Sequence, residues 1–200
     1  MNAKDYFDNA AETWDNKFQT LKLLSFLEKL VPQFNLKRGQ QVLDVGTGTG
    51  LLIPYLAKAV GQSGSVTALD LSEKMVQKCK IKHGQIKNVK ITVGNIEDAT
   101  LLAESFDAVI CFGVFPHIEN KKKALKNINK ILKSEGKIII AHALSSKELQ
   151  AHHKKVSQHV AHAAMPKTNE MTLLLKQTGF MEIGIKDKPG CYLCTAHKTH

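Results

Sequence analysis

Cysteine is scarce in this 200-residue chain: the four present, at positions 79, 111, 191 and 194, are too few and too scattered for a disulfide framework. Long apolar runs are missing too. The longest are pieces such as Lys137-Ile138-Ile139-Ile140, far short of a membrane span. The N-terminus, MNAKDYFDNAAETWD, carries acids where a secretory signal needs a positive start and an apolar centre. No low-complexity tract interrupts the sequence. These absences predict a reduced, cytoplasmic, globular chain with no membrane partner, and its length and 43% hydrophobic content suit one domain with a sizeable core. Acids are also in short supply, 18 against 28 Lys and Arg, for a net charge of +10 and a pI near 9.4. That imbalance invites a nucleic-acid partner. Much of it, however, sits at Lys121, Lys122, Lys123, Lys126, Lys130 and Lys133, which alternate with Ala124, Leu125, Ile128, Ile131 and Leu132 at helical spacing. The simplest reading is the solvated face of an amphipathic helix over 119–133, so nucleic acid is not expected as a partner.

What is present centres on residues 42–50, Val-Leu-Asp-Val-Gly-Thr-Gly-Thr-Gly. Val42, Leu43 and Val45 read as a buried strand, and the residues from 51 to 60 as a helix. Glycines at such a strand-to-helix turn let a ligand approach the backbone closely. A dinucleotide-binding turn would read G-x-G-x-x-G, but position 51 is Leu and the third glycine comes early. Asp44, two residues before Gly46, would repel a pyrophosphate and attract a cation. A second strand, 65–69, ends at Asp70, twenty residues past Gly50, where an acid can accept bonds from both hydroxyls of a ribose. Strand, helix and strand with short connections imply a right-handed parallel unit whose strand ends open on a ligand crevice. Residues 90–93 and 106–112 read as the third and fourth strands, and 137–142 as the fifth. A helix over 170–178 and strands 181–188 and 192–198 follow; Pro189-Gly190 makes the last two antiparallel.

The pattern D-x-G-x-G-x-G at 44–50, with Asp70 downstream, resembles motif I of the class I S-adenosylmethionine (SAM) methyltransferases, and within them the ubiquinone/menaquinone-type group. The resemblance implies an α/β, three-layer Rossmann-like fold with a seven-stranded, mostly parallel sheet of order 3-2-1-4-5-7-6 and an antiparallel last strand. It implies SAM as cofactor. Asp44 would orient the methionine moiety, Gly46, Thr47, Gly48 and Gly50 would admit it, and Asp70 would hold the ribose. Leu71 and Met75 would pack on the adenine, with Asn95 and Ile96 beside it and Cys111 and Phe112 at the edge of the cofactor floor. Asn95 stands where the family usually has Asp; Asp98 is the alternative equivalent after a local shift. The sequence after the fourth strand, Cys111-Phe112-Gly113-Val114-Phe115-Pro116, lacks the [DN]-P-P-[YFW] motif of enzymes that methylate nucleobase amines.

Residues 1–35 read as a helical cap. Tyr6, Phe7 and Trp14 lie there among polar residues, either packing on the domain or forming a lid over the cofactor, with Tyr6 and Trp14 as candidates for the acceptor pocket. Residues 143–169 form a histidine-rich insert, in which Leu149, His153, Val156 and Val160 share one helical face and His152 and His159 share a flank. With His117 and His142 as catalytic candidates, and Phe115, His152, His153 and His159 as pocket candidates, the insert offers a base, a metal or simply a helix rich in histidine. Metal-ligand spacing is missing, and C-x-x-C at 191–194 falls in a strand that points the two sulfurs to opposite faces, so no metal is assigned. The expectation is a methyltransferase acting on a small molecule, as a monomer or homodimer. An RNA or protein methyltransferase and a non-catalytic SAM-binding protein are the rivals.

Overall fold

A computed structural model describes residues 3–98, 101–156 and 164–199. The chain divides into two compact units, Met1–Asn95 and Ile96–His200. The first opens with three short helices, α1 (Ala3–Ala10), α2 (Trp14–Phe18) and α3 (Leu21–Leu30). Thr20 caps α3, its hydroxyl accepting from the Leu23 amide at 3.2 Å. The α-helix ends at Leu30, and Pro32 lies in the first turn of the 3-10 turn Val31–Phe34 that follows, where a proline without an N–H is tolerated. Then come β1 (Gln41–Val45), α4 (Ile53–Val60), β2 (Ser65–Asp70), α5 (Glu73–His83) and β3 (Val89–Val93). Both parallel pairings, β1 with β2 and β2 with β3, are in regular register. In β1, Val42 through Val45 are buried without alternation, as a strand covered on both faces requires. Ile53, Leu56 and Val60 bury one face of α4. Ile53, Ala68 and Cys79 then pack together, with Ile86, Val89 and Ile91 against them.

The second unit holds β4 (Phe106–Phe112), α6 (Lys121–Ile131), β5 (Leu132–His142), α7 (Ser146–Val156), α8 (Thr168–Gln177), β6 (Phe180–Lys188) and β7 (Cys191–Lys198). Strands β4 and β5 run parallel, while β7 is antiparallel to both β5 and β6. The seven strands follow the order β3-β2-β1-β4-β5-β7-β6, the order that the family resemblance implies. No described helix is long and apolar enough to cross a membrane.

Two expectations for α6 are corrected. The helix stops at Ile131, and β5 begins at Leu132 rather than at 137. Residues between Leu132 and Lys137 form a bulge inside the strand: Phe106 pairs with Leu132 and Ala108 with Lys137, and Glu135 takes a φ of 61°. The second correction concerns Lys121, which is not part of the solvated face. It is half-buried, and its ammonium donates to the carbonyls of Pro116 at 3.1 Å and Ile118 at 2.8 Å and lies 5.9 Å from the centre of the Phe115 ring. Burial lowers its pKa, with Glu97 opposing. Lys122, Lys123, Lys126 and Lys130 are exposed as expected. Beneath them Ala124, Leu125, Ile128 and Ile131 are buried, each Leu or Ile contributing about 1.5–3 kcal/mol.

Candidate functional site

The site begins where β1 runs out. Gly46 and Thr47 donate their amides to the Leu69 carbonyl at 2.7 and 3.1 Å, tying the turn to the end of β2. Gly46, Gly48 and Gly50 have φ values of 69°, 57° and 92°, a left-handed backbone that side chains resist. At Gly50 a Cβ would also stand 2.4 Å from the ring of His83. Around Gly48 there is room, the nearest atom to such a Cβ being Trp14 Nε1 at 3.9 Å.

Two carboxylates stand at this turn. Asp44 is 2% exposed, and neither its Oδ2 nor the Thr47 hydroxyl completes a hydrogen bond among the described residues. Burial pushes its pKa up to about 7; Thr47 beside it works the other way, and the charge of Asp70 adds to the rise. Orphaned buried polar atoms are uncommon in folded chains and point to a missing partner. Asp70 is also buried but well bonded: Oδ2 accepts the Gly48 amide at 2.7 Å and Oδ1 the Ser72 amide at 2.8 Å. Its pKa is raised by burial, against the pull of those two amides. Ser72 caps α5 by accepting from the Met75 amide at 3.1 Å. Met75 is buried, and Leu71 and Asn95 are half-buried. Burial also raises the Cys79 thiol to about 12, helped by the charges of Asp44 and Asp70, so it stays protonated. Desolvation lowers the pKa of His83.

Sequence reasoning offered a lid over the cofactor for this segment but did not identify the bonds that α1 and α2 make here. Asp8 Oδ1 accepts the Ser72 hydroxyl at 2.5 Å and the Lys74 amide at 3.2 Å. Asp15 Oδ1 accepts the Thr49 hydroxyl at 2.5 Å. Tyr6, Phe7, Trp14 and Phe18 form a half-buried run of ring contacts between them, Phe7 and Trp14 edge to face at 5.6 Å. The one available signal was a pair of aspartates spaced seven apart, at 8 and 15, in an aromatic-rich stretch.

In the second unit, Ile96 is buried and its carbonyl accepts from the Asn127 side chain at 2.9 Å. Cys111 is buried in β4, Phe112 stacks on His142 with ring centres 6.4 Å apart, and Phe115 is fully buried. His117 ends the 3-10 turn Phe115–His117 that Lys121 tacks down. His142 Nδ1 accepts the Leu144 amide at 3.0 Å, so the neutral ring carries its proton on Nε2. In α7 Leu149 is buried and His152 exposed. The side chain of His153 and all of His159 lie outside the described residues. Among the described residues, no three His, Cys, Asp or Glu side chains are grouped to hold a metal.

The fold and the turn together define the class, that of the SAM-dependent methyltransferases. Residues 36–183 match the family described as "Methyltransferase domain", and the chain belongs to that family. It is similar to an uncharacterized protein of Methanocaldococcus jannaschii, 34% identical over 137 residues that make up 68% of this chain and 49% of that protein. A demethylmenaquinone methyltransferase of Staphylococcus aureus is 34% identical over 113 residues, 56% of this chain and 46% of its own length. The chain thus spans about half the length of these curated relatives. A crystal structure of a SAM-dependent methyltransferase from Aquifex aeolicus superposes with a TM-score of 0.72 at 26% identity, covering 86% of this chain and 89% of that one. SAM is the cofactor this class uses, and the buried carboxyl of Asp44, with an unpartnered oxygen beside an open glycine turn, fits its cationic methionine end.

Proposed function

We propose that this protein transfers a methyl group from SAM to a small-molecule acceptor, the two units serving one methyltransferase domain. The observation that carries the reading is Asp44: a buried carboxyl with an unpartnered oxygen at the glycine turn suits an ammonium group, and suits a pyrophosphate badly. When bound, SAM supplies an electrophilic methyl on a sulfonium. The protein's residues then bind and orient. Asp44 accepts from the ammonium, and Gly46, Thr47, Gly48 and Gly50 leave space for the methionine chain. Asp70 keeps lone pairs beyond its two amide bonds, enough to receive ribose hydroxyls. Leu71, Met75, Asn95 and Ile96 take the adenine, and Cys111 and Phe112 its floor. Holding acceptor and methyl in line accounts for much of the rate, since orientation can contribute roughly 7–11 kcal/mol.

At the acceptor, His117 and His142 are the candidates to touch the reacting group, with Phe115 and His152 as pocket candidates. The Nδ1 of His142 is committed to the Leu144 amide, so this ring can donate through Nε2–H and is ill suited to be the base. That leaves His117 as the proton acceptor where the acceptor arrives protonated. The 34% identity to a demethylmenaquinone methyltransferase favours a small acceptor of menaquinone type. Radiolabelled SAM with a panel of reduced quinones and other small acceptors, alongside RNA and protein, tests this. Label is expected in one small molecule. Label in RNA or protein alone overturns the proposal, and His117→Gln methylating the true acceptor at the parental rate removes that histidine from the chemistry.

A further inference from the structure

The N-terminal segment reaches the glycine-turn site at two separate points, each time with an aspartate. From α1, Asp8 takes the Ser72 hydroxyl and the Lys74 amide at the start of α5, while Lys4 holds its other oxygen at 2.9 Å. Burial alone would raise its pKa, but Lys4, Ser72 and Lys74 together hold it down to about 2, so it is a carboxylate at any working pH. A negative charge is favoured there because the first amides of a helix lack internal partners and carry its positive end. From α2, Asp15 takes the Thr49 hydroxyl at 2.5 Å and the Gln19 amide at 2.6 Å, and pairs with Lys82 through its other oxygen.

These bonds close a circuit. Asp8 holds Ser72, the Ser72 amide holds Asp70, Asp70 holds the Gly48 amide, and the adjoining Thr49 is held by Asp15. The short span from 8 to 15, stiffened by the Phe7–Trp14 contact, completes the ring. Glu12–Lys78 is a different kind of contact: Glu12 has 75% of its side chain exposed, and ion pairs of that sort contribute little. Asp8 and Asp15 instead bond hydroxyls and an amide on the very loops that carry Asp70 and the glycines.

We infer that Asp8 and Asp15 are positioning residues for the cofactor, clasping the ribose loop at 70–72 and the glycine turn at 46–50 in one fixed arrangement. The inference rests on the cofactor placement proposed above. Neither aspartate needs to touch the cofactor; each acts through the residue it holds.

The test uses the full chain, S-adenosylhomocysteine as ligand, and Trp14, the only tryptophan in the sequence, as an emission reporter inside the clasp. Asp8→Ala and Asp15→Ala are each expected to raise Kd about tenfold, mainly through faster dissociation, and to alter the Trp14 emission change on binding. Asp8→Asn, which retains an acceptor oxygen for Ser72 and Lys74, is expected to recover most of the loss. A purely structural role would lower the melting temperature of ligand-free protein and leave Kd and dissociation rate as in the parent; that result overturns the clasp. Thr49→Val removes the donor instead of the acceptor, and decides the matter if an alanine variant does not fold: parental Kd there overturns the inference too. Asp70→Ala separates the two claims. Weakened binding in Asp70→Ala with parental binding in the clasp variants leaves the cofactor site standing and sinks the clasp, whereas parental binding in Asp70→Ala sinks both.

Discussion

Asp44 is a carboxyl whose neutral form the fold prefers. Its pKa near 7 stands above the roughly 3.9 of a solvated aspartate, so the folded chain retains a proton that the unfolded chain releases between those values. The stability this group contributes is present below about pH 4 and lost as pH rises toward 7. Asp44→Asn copies the neutral form, so it should raise the melting temperature of ligand-free protein at about pH 8 and change it little at about pH 4. A cationic ligand reverses the preference, because only the ionised carboxylate pairs with an ammonium. Affinity for S-adenosylhomocysteine should therefore strengthen as pH rises through about 7, and binding at about pH 6 should release a proton, seen as a calorimetric heat that depends on the buffer. Asp44→Asn should abolish both effects and weaken binding by about 1.5–3 kcal/mol. Equal parental affinity on both sides of pH 7 would take Asp44 out of the ligand site.

Helix α6 shows how one element divides its lysines between two roles. Asn120 caps it, accepting the Lys123 amide at 2.9 Å, and Glu97 accepts the amides of Glu119 and Asn120 just before it, both at 3.1 Å. With those donors satisfied, Lys121 turns back to bond the 115–118 turn that carries His117. Lys121→Met keeps the aliphatic stem and leaves two carbonyls without their donor. It is expected to cost about 1–3 kcal/mol in denaturant unfolding, where Lys122→Ala stays within about 0.5 kcal/mol. If the two variants unfold alike, Lys121 is a surface lysine after all and the turn is held by its own backbone.

Across the whole molecule, the charge of +10 bears on encounter and solubility rather than on fold. Exposed lysines spaced along a helix can gather phosphates but cannot read bases. Binding to a mixed RNA or DNA oligonucleotide, followed by fluorescence anisotropy, should be weak and should vanish by about 0.2 M salt. A nanomolar, sequence-selective complex at physiological salt would reverse the choice of acceptor made here.

The strands and the glycine turn were legible because they rest on local chemistry, and the sheet order followed from the family resemblance that the turn carries. Buried parallel strands announce themselves as apolar runs, Pro189-Gly190 forces a hairpin, and three alternating glycines after an aspartate form a turn few other residues could adopt. Residue spacing alone brought Asp44 and Asp70 to the ends of adjacent strands. Tertiary structure decided the rest, since it depends on groups far apart in the chain. Lysine spacing could not reveal that Lys121 would find two carbonyls five and three residues behind it, nor that residues 132–136 would be absorbed into a strand by pairing with β4. The state of His142 depends on an amide two residues on, which only the bend after β5 brings to Nδ1. The aspartates at 8 and 15 look like ordinary surface acids until folding sets them against Ser72 and Thr49, residues 64 and 34 positions away. A hydrogen bond needs its partner within about 3 Å, and sequence says nothing of that distance once the chain has turned.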